Sequence, residues 1–223
     1  MHYFKKNKQR TVISVIISLI FLLAIAGGAW GYLHRNVVID VALSPEERAE
    51  LLDRSKQLLN DIKNDPGNLD NYLELGIVEK TLGNLSKAAK AYRDGIKQNE
   101  NFYLFYLNLG SVYEDMGKYD DAERMFREGI LRKPLEEMGY HKLINLFLAH
   151  FQGRFDELDL LYKKAIEVTS DIDIMKSYAR FLEDRGQTRD AWIYWQEVAD
   201  RSPDPTLAKQ EVERLRKELE GAE

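Results

Sequence analysis

The apolar and polar positions divide the chain into two kinds of segment. From Thr11 to Leu33 no charged residue occurs in 23 positions, and most are Val, Ile, Leu, Phe, Ala or Gly. At 1.5 Å per residue this run predicts a helix about 34 Å long, enough to cross a hydrocarbon core of about 30 Å. A lone segment in lipid must satisfy its own backbone hydrogen bonds, so helix is the state it adopts. Beyond Ser44 the apolar residues recur in stripes three or four apart, interrupted by Gly, Asn, Asp and Pro. That pattern predicts a series of amphipathic helices. The first of them is well marked: Ser44 as N-cap, Pro45 in the first position and Glu47 completing a capping box. Leu51, Leu52, Leu58, Leu59 and Ile62 form its stripe, and Asn64-Asp65-Pro66-Gly67 stops it.

A repeat follows. Tyr72, Leu75, Gly76, Gly83, Ala88, Tyr92 and Gly95 recur 34 residues later as Tyr106, Leu109, Gly110, Gly117, Ala122, Phe126 and Gly129. A third unit carries Gly153, Phe155, Leu158, Tyr162 and Ala165 at a spacing of 36, with Leu158 in place of the small Ala and Ile144 or Leu146 in place of the first-helix Gly. Two residues have therefore been added, and they are expected between Pro134 and Leu143; the bulky replacements should splay this hairpin. The fourth unit restores the pattern with Gly186, Ala191, Trp195, Val198 and Pro203. On these residues the sequence resembles the tetratricopeptide family, whose period and order of aromatic, Leu-Gly, turn Gly, Ala, aromatic, small residue and Pro it follows. The departures are Glu100 where the first unit should end in Pro, Tyr178-Ala179 for Leu-Gly, and the irregular third unit.

The resemblance implies an all-α chain: an N-terminal transmembrane helix followed by an α-α superhelix, a right-handed solenoid of hairpins. The expected organisation is a basic N-terminus (1–10), the span (11–33), a connector (34–43), an N-terminal capping helix (44–66), repeat 1 (69–102), repeat 2 (103–136), an irregular repeat 3 (137–171), repeat 4 (172–204) and a C-terminal capping helix (205–221). The family uses the first helix of each hairpin to line a concave face. Its groove positions fall on Asp70, Leu73, Ile77 and Lys80, then on Leu104, Leu107, Ser111 and Glu114, and in the last repeat on Asp173, Lys176, Arg180 and Glu183. The candidate protein-binding residues are accordingly Leu73, Ile77, Leu104, Leu107 and Ser111, with Lys176 and Arg180 as receivers of an acidic side chain. An apolar concavity suits a helix or extended peptide; the alternative is that the helix at 44–63 covers it. The family's C-terminal-carboxylate mode is disfavoured, since Leu73 and Leu107 stand where cations would help Asn108.

Charge adds topology. The formal net charge is −5, and Lys5, Lys6, Lys8 and Arg10 place +4 in the first ten residues, leaving −9 beyond the span. An acidic body repels phosphates, which excludes nucleic acid as the expected partner. Four cations before the span against Arg35 just after it predict a cytoplasmic N-terminus and an extracytoplasmic repeat domain, with a bacterial inner membrane as the setting. A cleaved secretory signal, with Ala24-Ile25-Ala26 as its processing site, is the competing reading; the apolar run continues past it to Leu33. Gly27 and Gly31 form a GxxxG pair, a candidate helix-dimer contact and one route to a homo-oligomer.

Candidate chemistry is sparse. The chain has no Cys, and His2, His34, His141 and His150 lack the spacing of a metal pair. No phosphate-cradling loop, nucleotide fingerprint or nucleophile triad occurs, so no cofactor and no enzymatic activity are expected. Asn84-Leu85-Ser86 is a formal glycosylation acceptor in a turn. The expected function is a membrane-tethered protein-interaction scaffold or chaperone-like adaptor for an envelope or secretory complex, held to lipid through residues 11–33; the alternative is a structural self-assembling membrane protein. In layout it resembles inner-membrane proteins that carry such repeats outside the cytoplasm, including an ancillary factor of the translocation channel.

Overall fold

The computed structural model describes residues 43–221. The span at 11–33 and the pair Gly27 and Gly31 lie outside the described residues. Among the described residues no helix is long and apolar enough to cross a membrane. They form ten helices: α1 (Pro45–Asn64), α2 (Leu69–Thr81), α3 (Leu85–Gln98), α4 (Tyr103–Asp115), α5 (Tyr119–Arg132), α6 (Glu137–His150), α7 (Phe155–Thr169), α8 (Ile172–Asp184), α9 (Thr188–Arg201) and α10 (Thr206–Gly221). Helices α2 to α9 pair as successive antiparallel hairpins, and the first helices α2, α4 and α6 also touch along the stack. The result is an all-α helical repeat solenoid of tetratricopeptide type.

The repeat residues hold the hairpins together by size. A Cβ on Gly76 would lie 2.2 Å from the Tyr92 ring, and one on Gly110 would lie 2.5 Å from the Phe126 ring. Each aromatic therefore sits directly on a helix backbone, which only glycine permits. Ala88 and Ala122 are fully buried beside them. Gly83 turns the first hairpin at φ 79°, a left-handed conformation that a side chain strains.

The third hairpin departs from this packing. Ile144 and Leu158 occupy the two positions that are Gly and Ala in the hairpin before it, both are buried, and α6 and α7 approach each other less closely than the helices of the other three hairpins. The added residues do not lie before α6 as expected. Residues 133–136 separate α5 from α6 just as 99–102 separate α3 from α4; instead α6 is longer than α4 and the turn after it runs from Phe151 to Arg154. Phe151 packs edge-on to Phe147 at 5.2 Å, and the Arg154 guanidinium lies 4.6 Å over both rings. The extra length is thus retained by aromatic burial and a cation over its faces. A cavity of about 490 Å³ opens between α5, α6 and α7.

The two ends are closed differently. At the first, α1 buries Leu58 and sends Ser55 Oγ to the buried Glu79 carboxylate at 2.6 Å, while Arg54 pairs with Glu74. Glu79 also accepts from Asn84 Nδ2 at 2.8 Å, so the amide of the formal glycosylation acceptor is spent inside the fold. At the other end α10 packs on α9 through Ala208 and Leu215, and Arg214 pairs with Glu183, which in turn accepts from Trp195 Nε1 at 2.6 Å.

Candidate functional site: the face of the first helices

The expected groove residues separate into three groups. On α2, Leu73 is half-buried against the first core cluster and Ile77 is 49% exposed; on α4, Leu104 is half-buried. These three offer apolar surface. Leu107, expected beside them, is fully buried and is not part of an open face. Its side chain fills the space left by Gly129, where a Cβ would lie 2.4 Å from Leu107 Cδ2, and it also reaches Gly139. The small residue of the second helix has drawn it inward.

Ser111 anchors the second group. Its hydroxyl donates to the Leu107 carbonyl at 3.1 Å and accepts from Lys142 Nζ at 2.9 Å, joining α4 to α6. One turn on, Lys80 and Asp115 pair at 3.0 Å between α2 and α4. Among the described residues no carboxylate lies within 4.0 Å of the Lys142 ammonium; Glu114 and Asp115 act on it only at longer range. Burial, with Lys80 nearby, lowers the Lys142 pKa below its ordinary value, against the opposing pull of Glu114 and Asp115. Asn108, the residue reminiscent of carboxylate recognition, donates to the Leu104 carbonyl at 2.8 Å within its own helix. The sequence does not single out Lys142, because the place of the two added residues leaves the register of α6 open. Its spacing of 31 from Ser111 is the signal that correct placement would have supplied.

Lys176 and Arg180 form the third group, on α8. Lys176 pairs with Asp173 one turn away at 2.9 Å, and the Arg180 guanidinium lies 5.8 Å over the Trp195 ring. Neither hydrogen-bonds or ion-pairs with Ser111 or Lys142 among the described residues. The two histidines among the described residues lie apart from these groups: His141 is 3.3 Å from Asp171, and His150 stacks on Tyr119 at 3.7 Å with Glu114 3.6 Å from its Nε2. No group of three or more metal-ligating side chains is found among the described residues.

The class this geometry defines is a tetratricopeptide-like repeat with a face of mixed apolar and cationic character. A tetratricopeptide repeat family model matches residues 106–137. Solved structures of the same fold include YrrB, a tetratricopeptide protein with an unusual peptide-binding site (15% identity, 74% of this chain and 85% of that one, TM-score 0.55). MamA is similar over 74% of this chain and 95% of its own, at 18% identity and TM-score 0.57. PilF of Pseudomonas aeruginosa is similar over 78% and 81%, at 17% identity and TM-score 0.57. No curated protein sequence matches the chain. Proteins of this fold act as protein-interaction scaffolds, and the fold is what these likenesses share.

Proposed function

We propose that the chain is a membrane-tethered, non-enzymatic protein-interaction module. Residues 11–33 anchor it with the N-terminus in the cytoplasm and the repeats on the opposite side of a bacterial inner membrane, and the face of α2, α4 and α6 takes a segment of a partner from an envelope or secretory complex. The observation that carries this reading is Lys142: a largely desolvated ammonium on α6 held by a neutral hydroxyl of α4, with no carboxylate in contact among the described residues, in a stack whose first helices also offer apolar surface at Ile77 on α2 and Leu104 on α4. A partner segment with aliphatic side chains and one acidic group would bury the first and complete the second. The peptide-binding site of YrrB lends support by fold alone.

The test is crosslinking of the full chain in intact membranes, comparing the unsubstituted protein with Ile77→Asp, Leu104→Asp and Lys142→Met. A specific partner should be captured by the first and lost, by at least about tenfold, from all three. Capture unchanged in variants that keep their helical circular dichroism overturns the proposal. Protease protection of the repeats in sealed cells, removed by opening the outer envelope, is the expected topology; protection that persists until the inner membrane is breached reverses it. The structural self-assembly alternative has support of its own on a different face, along α7.

A further inference from the structure

The three most exposed large apolar side chains among the described residues are Leu135 at 74%, Leu131 at 71% and Leu160 at 66%. Leu131 and Leu160 line the cavity that opens where the third hairpin splays, together with Ile130, Leu143 and Leu161. A cluster of this kind beside an unfilled concavity marks a contact surface. What occupies it is encoded in the charges of α7.

Along one stripe of α7 and its N-cap the residues run Arg154, Glu157, Leu160 with Leu161, Lys164, Glu167. The order is self-complementary about the point between Leu160 and Leu161. Reversing the helix about that point brings Glu157 onto the position of Lys164 and Arg154 onto that of Glu167, opposite in sign at both. The charged members are accessible: Glu157 is 49% exposed, Lys164 59% and Glu167 70%. The pairs along the stripe are local, Arg154 with Glu157 at 2.6 Å and Lys164 with Glu167 at 3.0 Å, while Arg154 is also held from α5 by Glu123 at 2.7 Å. Exposed i,i+3 pairs of this sort hold their geometry weakly and share a carboxylate with a second cation readily.

We propose that a second copy of this chain docks here, with the two α7 helices antiparallel across a twofold axis between Leu160 and Leu161. A twofold interface must be complementary to itself, and this stripe is. Glu157 to Lys164 spans about 10.5 Å of helix in both copies, so both reciprocal ion pairs form at once. Leu160 of each copy enters the cavity of the other, and Leu131 flanks it on α5. The charged rim sets the antiparallel register, and the leucines supply the burial. This pairing stands independently of what the face of α2, α4 and α6 binds.

The chain has no cysteine, so an introduced thiol reports on its symmetry mate alone. In the full chain, Leu160→Cys keeps a small apolar side chain at the axis and should give covalent dimers with a short bismaleimide. Ile193→Cys, a similarly placed apolar residue on α9 at 48% exposure, should not. Both carry the same anchor, so encounters in the membrane are matched. Adding Glu157→Lys or Lys164→Glu to the Leu160→Cys chain should each lower the dimer yield at least about tenfold, and combining them should restore it to within about twofold, because the swapped charges again face their opposites. Lys164→Glu lies outside the Arg154 network, so misfolding of Glu157→Lys, read by circular dichroism, does not decide the outcome. Equal crosslinking from Leu160→Cys and Ile193→Cys, or a double variant no better than the singles, overturns the proposal.

Discussion

The second and third hairpins are built on one plan and packed in opposite ways. In the second, Gly110 and Ala122 let Phe126 rest on the backbone of α4; in the third, Ile144 and Leu158 stand at the same two positions and hold α6 and α7 apart. The exchange of two small residues for two large ones costs the third hairpin its close contact and creates a cavity and exposed leucines. A regular repeat spends its apolar surface on itself. An irregular one leaves some of it for another molecule.

The comparison is broken most strongly by making the second hairpin resemble the third. Gly110→Ile places side-chain atoms inside the Phe126 ring and is expected to destabilise the domain by about 3 kcal/mol or more in urea denaturation. The reciprocal trimming, Ile144→Val, should cost only about 1 kcal/mol, since the splayed hairpin already tolerates space. Next in size is the latch at the first end. Glu79→Ala leaves the buried Ser55 hydroxyl and the Asn84 amide without their acceptor, with an expected loss of about 2 kcal/mol. Hydrogen exchange should show α1 losing amide protection before α2.

A smaller effect separates equivalent aromatics by sign. The Tyr92 hydroxyl is buried with no hydrogen-bond partner among the described residues, and burial pushes its pKa up; the Tyr162 hydroxyl, also buried, shares a 2.7 Å hydrogen bond with Ser177, and its pKa is pushed up to about 12. Tyr92→Phe should leave stability unchanged or raise it by up to about 1 kcal/mol, whereas Tyr162→Phe should lower it by about 1 kcal/mol. Thermal unfolding of the two variants side by side checks the difference.

The smallest is a pH effect on the third hairpin. Burial opposes ionisation of Glu123, but hydrogen bonds from Arg154 and Arg127 outweigh it and hold its pKa below the ordinary carboxylate value. A depressed folded pKa stabilises above the unfolded value and is lost as pH falls through the folded one, so this contribution should fade below about pH 4. In Glu123→Gln that part of the acid dependence should disappear from urea titrations.

These contrasts also explain what the sequence could convey. Gly76, Tyr92, Gly110 and Phe126 were legible as repeat positions because they recur at one spacing, but that each aromatic rests on the glycine of its own hairpin was not. Leu158 was legible as an intruder by the same spacing, whereas the choice between Ile144 and Leu146 is settled only by the start of α6, which lies 34 residues after that of α4 and puts Ile144 at the Gly110 position. The place of the two added residues was not legible: the spacing from Gly117 to Gly153 counts them without saying whether they lengthen α6 or the connection before it. Leu107 was assigned to the groove from its position in α4, but the room beside it comes from Gly129 and Gly139 in neighbouring helices, which no single helix's pattern reports. Lys142 meets Ser111 only through the lateral register of α4 and α6, and that register depends on the misassigned insertion.

The attachment of α1 has a mechanical reading. The helix is fastened to the stack chiefly by one buried hydroxyl–carboxylate contact, one arginine pair and the side chains of Leu58 and Ile62, whereas the hairpin directly behind it is closely packed along both helices. Tension entering at Ser44 would load these few fasteners before any hairpin, so α1 should peel away first and absorb the pull as added reach. The repeats would then stay folded at forces that detach their first helix, and single-molecule extension should register a short step of about twenty residues ahead of any larger one.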